Sequence, residues 1–268
     1  MKPEPGVAGA TARPDNAHHA VPGARGGQSR WARFVDLSET YGEHVLRDFL
    51  VSIPAPAVAL DIGAGSGRDL ELIRERSSGV RRIGLDCNEE NLERLRERGI
   101  EAHALNLERQ PLPLPDASID LVIANQVLEH TKEIFWIVHE VTRVLRVGGH
   151  FLIGVPNVCA FHNRMLMLLG RHPTQYKSYS AHVRPFSKRD TVRFMEVCWS
   201  GGYELERFAG SQFYPLPASL SRIACALAPA AAVTIFFLFR KTTPYGREFL
   251  EHPVKGQLET NFYLGGGS

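Results

Sequence analysis

Short apolar segments alternate with amphipathic ones through the middle of the chain. Five of the apolar runs have the length of strands, at 58–61, 82–86, 101–106, 120–124 and 151–155. The run at 120–124 is almost continuously apolar, which is typical of a parallel strand covered by helices on both faces. Two further runs, at 203–208 and 231–239, predict strands nearer the C-terminal end.

Segments with apolar residues at helical spacing lie between these runs. The predicted helices span 68–76, 89–98, 132–146, 161–169 and 188–201. An amphipathic entry helix, or a pair of helices, is predicted at 31–50, and Gly148 and Gly149 are expected to stop the helix 132–146. Strands and helices that alternate through right-handed crossovers predict a doubly wound, mostly parallel α/β sheet.

The segment 157–185 departs from this alternation. Its helical stretch is followed by a polar stretch at 171–184 that contains two tyrosines and two histidines. An insertion after the fifth strand lies at the carboxyl edge of a parallel sheet, where open α/β folds bind their ligands. We therefore expect residues 157–185 to form a lid insertion over that crevice.

A glycine-rich turn follows the first strand. The strand ends in Asp61, and Gly63, Gly65 and Gly67 come next at alternate positions, directly before a helix. The G-x-G-x-G spacing is not that of dinucleotide enzymes, and the lysine and serine or threonine of a phosphate loop are missing. Asp86 ends the second strand about 20 residues beyond the turn, where a carboxylate can accept bonds from both ribose hydroxyls.

Several motifs in sequence order resemble those of class I S-adenosylmethionine-dependent methyltransferases, within them the methyltransferase type 11 and MetW-like subgroup. They are Leu60-Asp61-Ile62-Gly63-Ala64-Gly65-Ser66-Gly67, Gly84-Leu85-Asp86, the stretch 113–122, Gln126-Val127-Leu128-Glu129-His130, the stretch 140–149 and Gly154-Val155-Pro156-Asn157. The resemblance covers roughly residues 40–242. It implies a Rossmann-like, seven-stranded sheet with an antiparallel last strand, S-adenosylmethionine as cofactor and S-adenosylhomocysteine as product.

The resemblance also implies which residues hold the cofactor. Backbone N–H groups of the glycine turn would bind the carboxylate of the methionyl end, and Asp61 would face the ammonium group. Asp86 would bind the ribose, whereas the adenine and the methionyl chain would meet residues that follow strands two, three and four. The expected cofactor residues are Asp61, Gly63, Ala64, Gly65, Gly67, Asp86, Cys87, Asn106, Leu107, Asn125 and Gln126.

Methyl transfer from a sulfonium requires alignment of the acceptor and, for many acceptors, removal of a proton. His130 and Glu129, after strand four, and His182, on the predicted lid, are the candidate catalytic groups. The glutamate of this Glu-His pair is often structural in the family. The candidate acceptor-binding residues are Tyr41, Tyr176, Tyr179, His182 and Arg184.

The composition excludes several other classes of protein. The 268 residues carry 31 basic and 29 acidic side chains, a net charge of +2, so nothing favours nucleic acid as a partner. The four cysteines form no C-x-x-C pair, which predicts neither a zinc site nor a disulfide framework and is typical of a cytoplasmic protein. His18 and His19 lack the ligand spacing of a metal site, and we predict no metal.

Three ranges describe the predicted domain organisation. Residues 1–30, rich in Pro, Gly and Ala, predict a disordered segment, 31–242 the methyltransferase domain, and 243–268 a loop-like tail that ends in a flexible linker or a cloning remnant. The mostly apolar stretch 223–239 is interrupted by Pro229, so we interpret it as a short helix and a buried strand. A membrane-surface segment is the less favoured interpretation, and stable membrane insertion is not expected.

Two kinds of function remain open on these residues. The favoured one is a methyltransferase that acts on a small-molecule acceptor by O-methylation, with N- or C-methylation of a natural-product intermediate as the variant. The other is a non-catalytic partner protein with the same fold, because some proteins with the methyltransferase fold act mainly through a partner. A homodimer is compatible with both.

Overall fold

A computed structural model describes residues 41–258 and 262–266 of the chain. Seven strands form one sheet in the order β3-β2-β1-β4-β5-β7-β6. The strands are β1 Val58–Ile62, β2 Arg81–Asp86, β3 Glu101–Ala104, β4 Ile119–Asn125, β5 Leu145–Pro156, β6 Tyr203–Ser211 and β7 Thr234–Lys241. β1 to β5 pair in parallel, whereas β7 runs antiparallel to both β5 and β6, which confirms the predicted seven-stranded α/β fold.

Eight α-helices lie among the described residues. They are α1 Glu43–Ser52, α2 Arg68–Arg76, α3 Glu89–Glu97, α4 Ile134–Val144, α5 Phe161–Leu168, α6 Lys188–Cys198, α7 Ala218–Leu227 and α8 Glu248–Lys255. The entry helix predicted at 31–50 lies partly outside the described residues, as does the whole segment 1–30.

The central strands are buried on both faces, which explains their continuous apolar sequence. In β4, Leu121 and Ile123 belong to one core cluster, and Val122 and Ala124 belong to the cluster on the other face. All four side chains are fully buried. Because neighbouring residues of a strand point to opposite faces, no position in such a strand can be polar without a partner.

The predicted end of the helix before β5 is wrong. α4 ends at Val144, and β5 already begins at Leu145, which pairs with Ile119 of β4. Gly148 and Gly149 therefore lie within β5, and Gly148 has a φ of 79°. The register of β5 against β4 shifts between Ile119 and Leu121, so the glycines mark an irregularity within the strand and not the end of a helix.

The expectation of a loop-like tail is also wrong over 248–255. These residues form α8, whose Phe249 and Leu250 are buried against the core. The mostly apolar stretch 223–239 divides, as expected, into the end of α7 and most of β7. Among the described residues, the helices are too short or too polar to cross a bilayer.

Candidate functional site

The crevice at the carboxyl ends of β1 and β4 is the topological switch point of the sheet. From β1 the chain winds outward to β2 and β3, whereas β4 and β5 lie on the other side of β1. Loops that leave neighbouring strands in opposite directions open a gap there, which is where α/β sheets bind ligands. The glycine turn after β1 and the turn 128–130 after β4 form the two sides of this crevice.

The backbone of the glycine turn has the left-handed conformation that glycine favours. The φ angles of Gly63, Gly65 and Gly67 are 71°, 52° and 78°. A Cβ atom at Gly63 would come within 2.5 Å of Val127 Cγ2, whereas a Cβ atom at Gly65 would meet nothing within 4 Å. Gly63 is therefore required by packing, and Gly65 faces open space in which a ligand can approach the backbone.

The carboxylate of Asp86 is held by three N–H donors from its own neighbourhood. Gly65 N donates to Oδ2 over 2.9 Å, Asn88 N donates to Oδ1 over 2.8 Å, and Asn91 Nδ2 donates to Oδ2 over 3.1 Å. These bonds link the glycine turn to the end of β2 and fix the orientation of the carboxylate. A carboxylate offers about four acceptor positions, so one remains for an external hydroxyl donor.

A second acidic group lies deeper in the crevice. Asp61 is 3% exposed, and burial raises its pKa well above the usual range, to which the charges of Asp69 and Asp86 add. The positive charge of Arg68 lowers it in part. Burial likewise raises the pKa of Asp69, although bonds from Asn125 and Arg68 oppose this. A crevice with three carboxylates favours a ligand that carries positive charge.

Asp69 and Arg68 were not selected from the sequence, although both lie in the first turn of α2. Asn125 Nδ2 donates to Asp69 Oδ2 over 2.8 Å and to the carbonyl oxygen of Tyr41 over 3.1 Å. Arg68 Cζ lies 4.4 Å from the centre of the Tyr41 ring. The structure thus brings the predicted residues Tyr41, Asn125 and Asp61 to one place, with the guanidinium of Arg68 against the tyrosine face.

The backbone after β4 is strained at Gln126. Its φ is 59°, which non-glycine residues rarely adopt, and its N–H donates to the carbonyl oxygen of Gly154 over 2.7 Å. A Cβ atom at Gly154 would come within 2.4 Å of Asn125 Oδ1. The glycine in the middle of β5 therefore makes room for the Asn125 amide, and a glycine inside a central strand is the signal that could have identified it.

The residues expected at the adenine end lie at the outer edge of the crevice. Cys87 and Asn106 are exposed, and Leu107 packs partly against the core. Asn106 Oδ1 accepts a bond from Glu108 N over 3.0 Å, and Asn106 N donates to Gln110 Oε1 over 2.8 Å. Asn106 thus shapes its own turn, and its amide nitrogen remains available to a ligand.

The three candidate catalytic groups lie together on the other side of the crevice. Glu129 is 1% exposed, and burial raises its pKa to about 7. Glu129 Oε1 lies 3.9 Å from His130 Nε2, and the rings of His130 and His182 meet edge to face with centroids 4.7 Å apart. The Tyr176 ring lies 5.7 Å from that of His182, and its hydroxyl donates to Pro156 O over 3.1 Å.

Backbone bonds attach residues 182–184 to the turn after β4. Val183 N and Arg184 N both donate to the carbonyl oxygen of Glu129, over 2.9 Å and 3.1 Å. Arg184 Nη2 donates to Lys132 O over 2.7 Å, and burial lowers the pKa of its guanidinium. Tyr179 is not brought to the site, because its side chain is 84% exposed.

A cavity of about 760 Å³ lies away from this crevice. Its lining includes Trp136, His139, Arg143, Lys241 and Tyr245, beside the amino-terminal end of β4 and the C-terminal end of β7. None of the predicted site residues lines it. The acidic crevice, with its glycine turn, remains the place where the sequence motifs converge.

Comparison with known proteins defines the class. A family model described as a methyltransferase domain matches residues 60–153. A SAM-dependent methyltransferase and possible histamine N-methyltransferase from Thermotoga maritima has the same fold, with a TM-score of 0.54 and 20% identity, over 78% of this chain and 91% of that one. The chain is 39% identical over 153 residues to a probable S-adenosylmethionine-dependent methyltransferase of Mycolicibacterium smegmatis, covering 56% of this chain and 53% of the relative.

A second relative has a named acceptor. The 27-O-demethylrifamycin SV methyltransferase of Amycolatopsis mediterranei is 28% identical over 171 residues, which cover 56% of this chain and 62% of that protein. The fold and the order of motifs therefore define a Rossmann-like α/β protein of the methyltransferase type. Residues 60–153 match a methyltransferase domain, and the chain spans about half the length of the first curated relative it matches.

Proposed function

We propose that the chain transfers the methyl group of S-adenosylmethionine to a hydroxyl of a small-molecule acceptor. The observation that carries this proposal is the charge of the crevice. Asp61, Asp69 and Asp86 converge there on a glycine turn, and burial together with mutual repulsion raises the pKa of Asp61. A ligand with an ammonium group, a sulfonium and a ribose matches this arrangement, whereas a polyphosphate would be repelled.

The residues of the crevice fit this cofactor. S-adenosylmethionine, when bound, supplies a methyl group attached to a positively charged sulfur. Asp86 would accept a bond from a ribose hydroxyl at its remaining acceptor position, since Gly65, Asn88 and Asn91 already fix its orientation. Asp61 would face the ammonium group, and the open space at Gly65 admits the methionyl end to backbone N–H donors.

The acceptor would bind between the turn after β4 and residues 176–184. His130 Nδ1 lies 3.2 Å from the carbonyl oxygen of Ala181, so in the neutral ring Nδ1 carries the proton and Nε2 carries the lone pair. A histidine nitrogen of this kind can take the proton of an acceptor hydroxyl. Such general-base catalysis contributes about two to four orders of magnitude in rate.

O-methylation is favoured over N- or C-methylation by two considerations. The relative from Amycolatopsis mediterranei is named for methylation of an oxygen. Two imidazoles and a carboxyl group beside the crevice also suit a hydroxyl acceptor, which must lose its proton as the new bond forms. Acceptors with amine or carbon nucleophiles are the comparison set for the assay below.

The first experiment is calorimetric titration of the purified chain with S-adenosylmethionine and S-adenosylhomocysteine. Asp86→Ala should weaken binding by about 10- to 100-fold, because it removes a ribose hydroxyl's hydrogen bond to a charged acceptor. Asp61→Asn should weaken the binding of S-adenosylmethionine more than the binding of an analogue that lacks the ammonium group. Asp48→Ala is the matched control, since its side chain is 79% exposed on α1 and belongs to none of the motifs.

The titration and an acceptor screen separate the alternatives. Cofactor binding that Asp86→Ala abolishes, followed by S-adenosylhomocysteine release with hydroxyl acceptors, supports the proposal. Release only with amine acceptors would replace O- by N-methylation. Tight binding without turnover on any acceptor would point to a partner protein, and absence of binding to the intact chain would refute the proposed function.

A further inference from the structure

The side chains of Glu129, His130 and His182 converge although they come from two distant parts of the chain. One ligand atom from each lies within 4.8 Å of the other two. Glu129 and His130 belong to the turn 128–130 that follows β4, whereas His182 lies beyond α5 in the segment after β5. Among the described residues, this is the group of histidine and carboxylate side chains close enough to hold a metal ion.

Two of the three groups have polar atoms that the protein leaves without a partner. Glu129 Oε2 and His182 Nδ1 are buried and make no hydrogen bond within the described part of the chain. Glu129 as a whole is only 1% exposed. Buried polar atoms are hydrogen-bonded in the great majority of cases, so two such exceptions within one cluster of side chains indicate a ligand that completes them.

The third group is already oriented for coordination. His130 Nδ1 lies 3.2 Å from the carbonyl oxygen of Ala181, which places the proton of the neutral ring on Nδ1 and leaves the lone pair on Nε2, 3.9 Å from Glu129 Oε1. Histidines that bind metals usually donate their other ring N–H to a carbonyl or carboxylate in this way. The Ala181 carbonyl therefore acts as the outer partner of a metal-binding histidine.

We propose that Glu129, His130 and His182 bind a divalent transition-metal ion of the zinc type. Two imidazoles and one carboxylate form a set that catalytic zinc sites use, with a fourth position left to water or substrate. His130 is 44% exposed, so the cluster is open on that side. Zinc bonds of about 2.0–2.1 Å place tetrahedral ligand atoms about 3.3 Å apart, so the widest separation would close by roughly 1.5 Å.

The position of the cluster suggests what the ion would do. It would join the turn after β4 to residues 182–184, which already donate two backbone bonds to the Glu129 carbonyl oxygen. If the proposed function holds, the open position faces the acceptor side, where an oxygen of the acceptor could bind. In the metal-bound form His130 Nε2 is a ligand and not the general base, and the ion would favour loss of the hydroxyl proton to solvent. Metal binding itself requires neither cofactor nor acceptor, and it is tested without them.

The test is a zinc titration of the chelator-treated full chain by calorimetry, with Co²⁺ as a spectroscopic probe. The starting protein is His18→Ala/His19→Ala, which removes the other histidine pair as a source of binding. We expect one zinc ion per chain and visible cobalt absorption typical of four or five ligands. Glu129→Gln and His182→Ala should each weaken zinc binding by more than the roughly 10–100-fold that follows the loss of a group hydrogen-bonded to a metal ligand.

Controls make the result specific. His103→Ala is the matched variant, because His103 Nε2 lies 2.9 Å from Glu101 Oε1 without a second histidine, and zinc binding should not change. Excess Mg²⁺ should not compete, since it prefers oxygen ligands. Circular dichroism checks folding, and His182→Gln provides a milder replacement where His182→Ala fails to fold.

Three outcomes would overturn the proposal. They are zinc binding that survives both Glu129→Gln and His182→Gln, zinc binding that is present only while His18 and His19 are intact, and no binding to the folded chain. Calorimetry with S-adenosylmethionine on the same samples distinguishes these outcomes from failure of the proposed function, because the two ligands are titrated separately.

Discussion

The two sides of the crevice differ in how far the protein satisfies its own polar groups. Of the ten buried side-chain atoms without a hydrogen-bond partner in the described residues, none lies within 41–124, and two belong to Asn125 and Gln126 at the end of β4. On the cofactor side, Asp86 has three donors, all from residues within 21 positions in sequence. On the acceptor side, Glu129, His182 and Arg184 each retain an unpartnered atom.

This difference has a physical cause. The cofactor side is a strand, a turn and a helix, so its donors and acceptors meet through local backbone geometry. The acceptor side is formed by segments more than 50 residues apart, as His130 and Ala181 illustrate. Its polar atoms are positioned by packing and left to bond with something outside the protein, which costs stability until a ligand is present.

The largest expected effect is on the glycine turn. Gly63→Ala combines a φ of 71° with a Cβ contact of 2.5 Å to Val127, and it should lower the free energy of unfolding by about 3 kcal/mol. Gly65→Ala has a φ of 52° and no contact, so about 1 kcal/mol is expected. Urea denaturation measures both.

Cofactor titration of the same two variants sharpens the comparison. Gly65→Ala should lose affinity for S-adenosylmethionine out of proportion to its small loss of stability, because its methyl group enters the open space of the crevice. Equal losses of stability in the two variants would contradict the packing role assigned to Gly63.

His139, which lies outside both sides of the crevice, provides a reference for how the stability of the protein depends on pH. Burial lowers the pKa of His139 to about 4, and the charges of Arg143 and Arg247 act in the same direction while Glu140 opposes them. The unfolded chain, with a pKa near 6.5, binds more protons between pH 4 and 6.5. Stability is therefore full above pH 6.5 and falls as the pH drops toward 4, by roughly 2 to 3 kcal/mol.

Denaturation of the parent chain and of His139→Gln at pH 7.5, 6, 5 and 4 checks this. The variant keeps a polar partner for the Tyr245 hydroxyl, which lies 2.9 Å from His139 Nδ1, but it has no imidazole to protonate. Its stability should fall less steeply with acid. Parallel curves for the two proteins would refute the assignment to His139.

A smaller loss of stability is expected when a buried hydrogen-bonding side chain on the acceptor side is removed. Asn163 is fully buried; its amide donates to Asn157 O over 3.0 Å, and its carbonyl accepts from Thr174 N over 3.0 Å. Asn163→Ala should cost about 2 kcal/mol. It should also raise hydrogen exchange across 157–185 while the affinity for S-adenosylmethionine stays unchanged.

Met167→Ala is the control for this prediction, because Met167 lies in the same helix with 44% exposure. Exchange that rises equally in β1 to β3 would show that the two sides of the crevice are not independent. That result would contradict the view that each side of the crevice is stabilised by its own hydrogen bonds.

The smallest effect concerns surface charge beside the cofactor side. Arg94 Nη2 lies 2.6 Å from Glu90 Oε1 on α3, and both side chains are more than half exposed. Arg94→Ala should change stability by less than about 0.5 kcal/mol, and the change should vanish in high salt. A loss comparable with that of Gly63→Ala would mean that surface ion pairs, not the buried turn, stabilise this side.

The sequence by itself determined the fold class and most of the cofactor side. Strand β1, the glycine turn and α2 are contiguous, and Asp86 ends the next strand. The local sequence pattern therefore specifies the geometry of this side. Alternating apolar and amphipathic segments likewise predicted the parallel sheet. Helix α8 was missed because its apolar residues are few and Pro253 lies inside it.

Only the tertiary structure decided the contacts between distant segments. Asp69 and Gly154 join the site because α2 and β5 bring them to Asn125, and Tyr179 leaves it because its loop points the ring into solvent. The meeting of His182 with Glu129 and His130 depends on the backbone bonds that attach residues 183 and 184 to the turn after β4. Local patterns specify strands, turns and helices, whereas the pairing of side chains more than 50 residues apart is decided by packing of the whole chain.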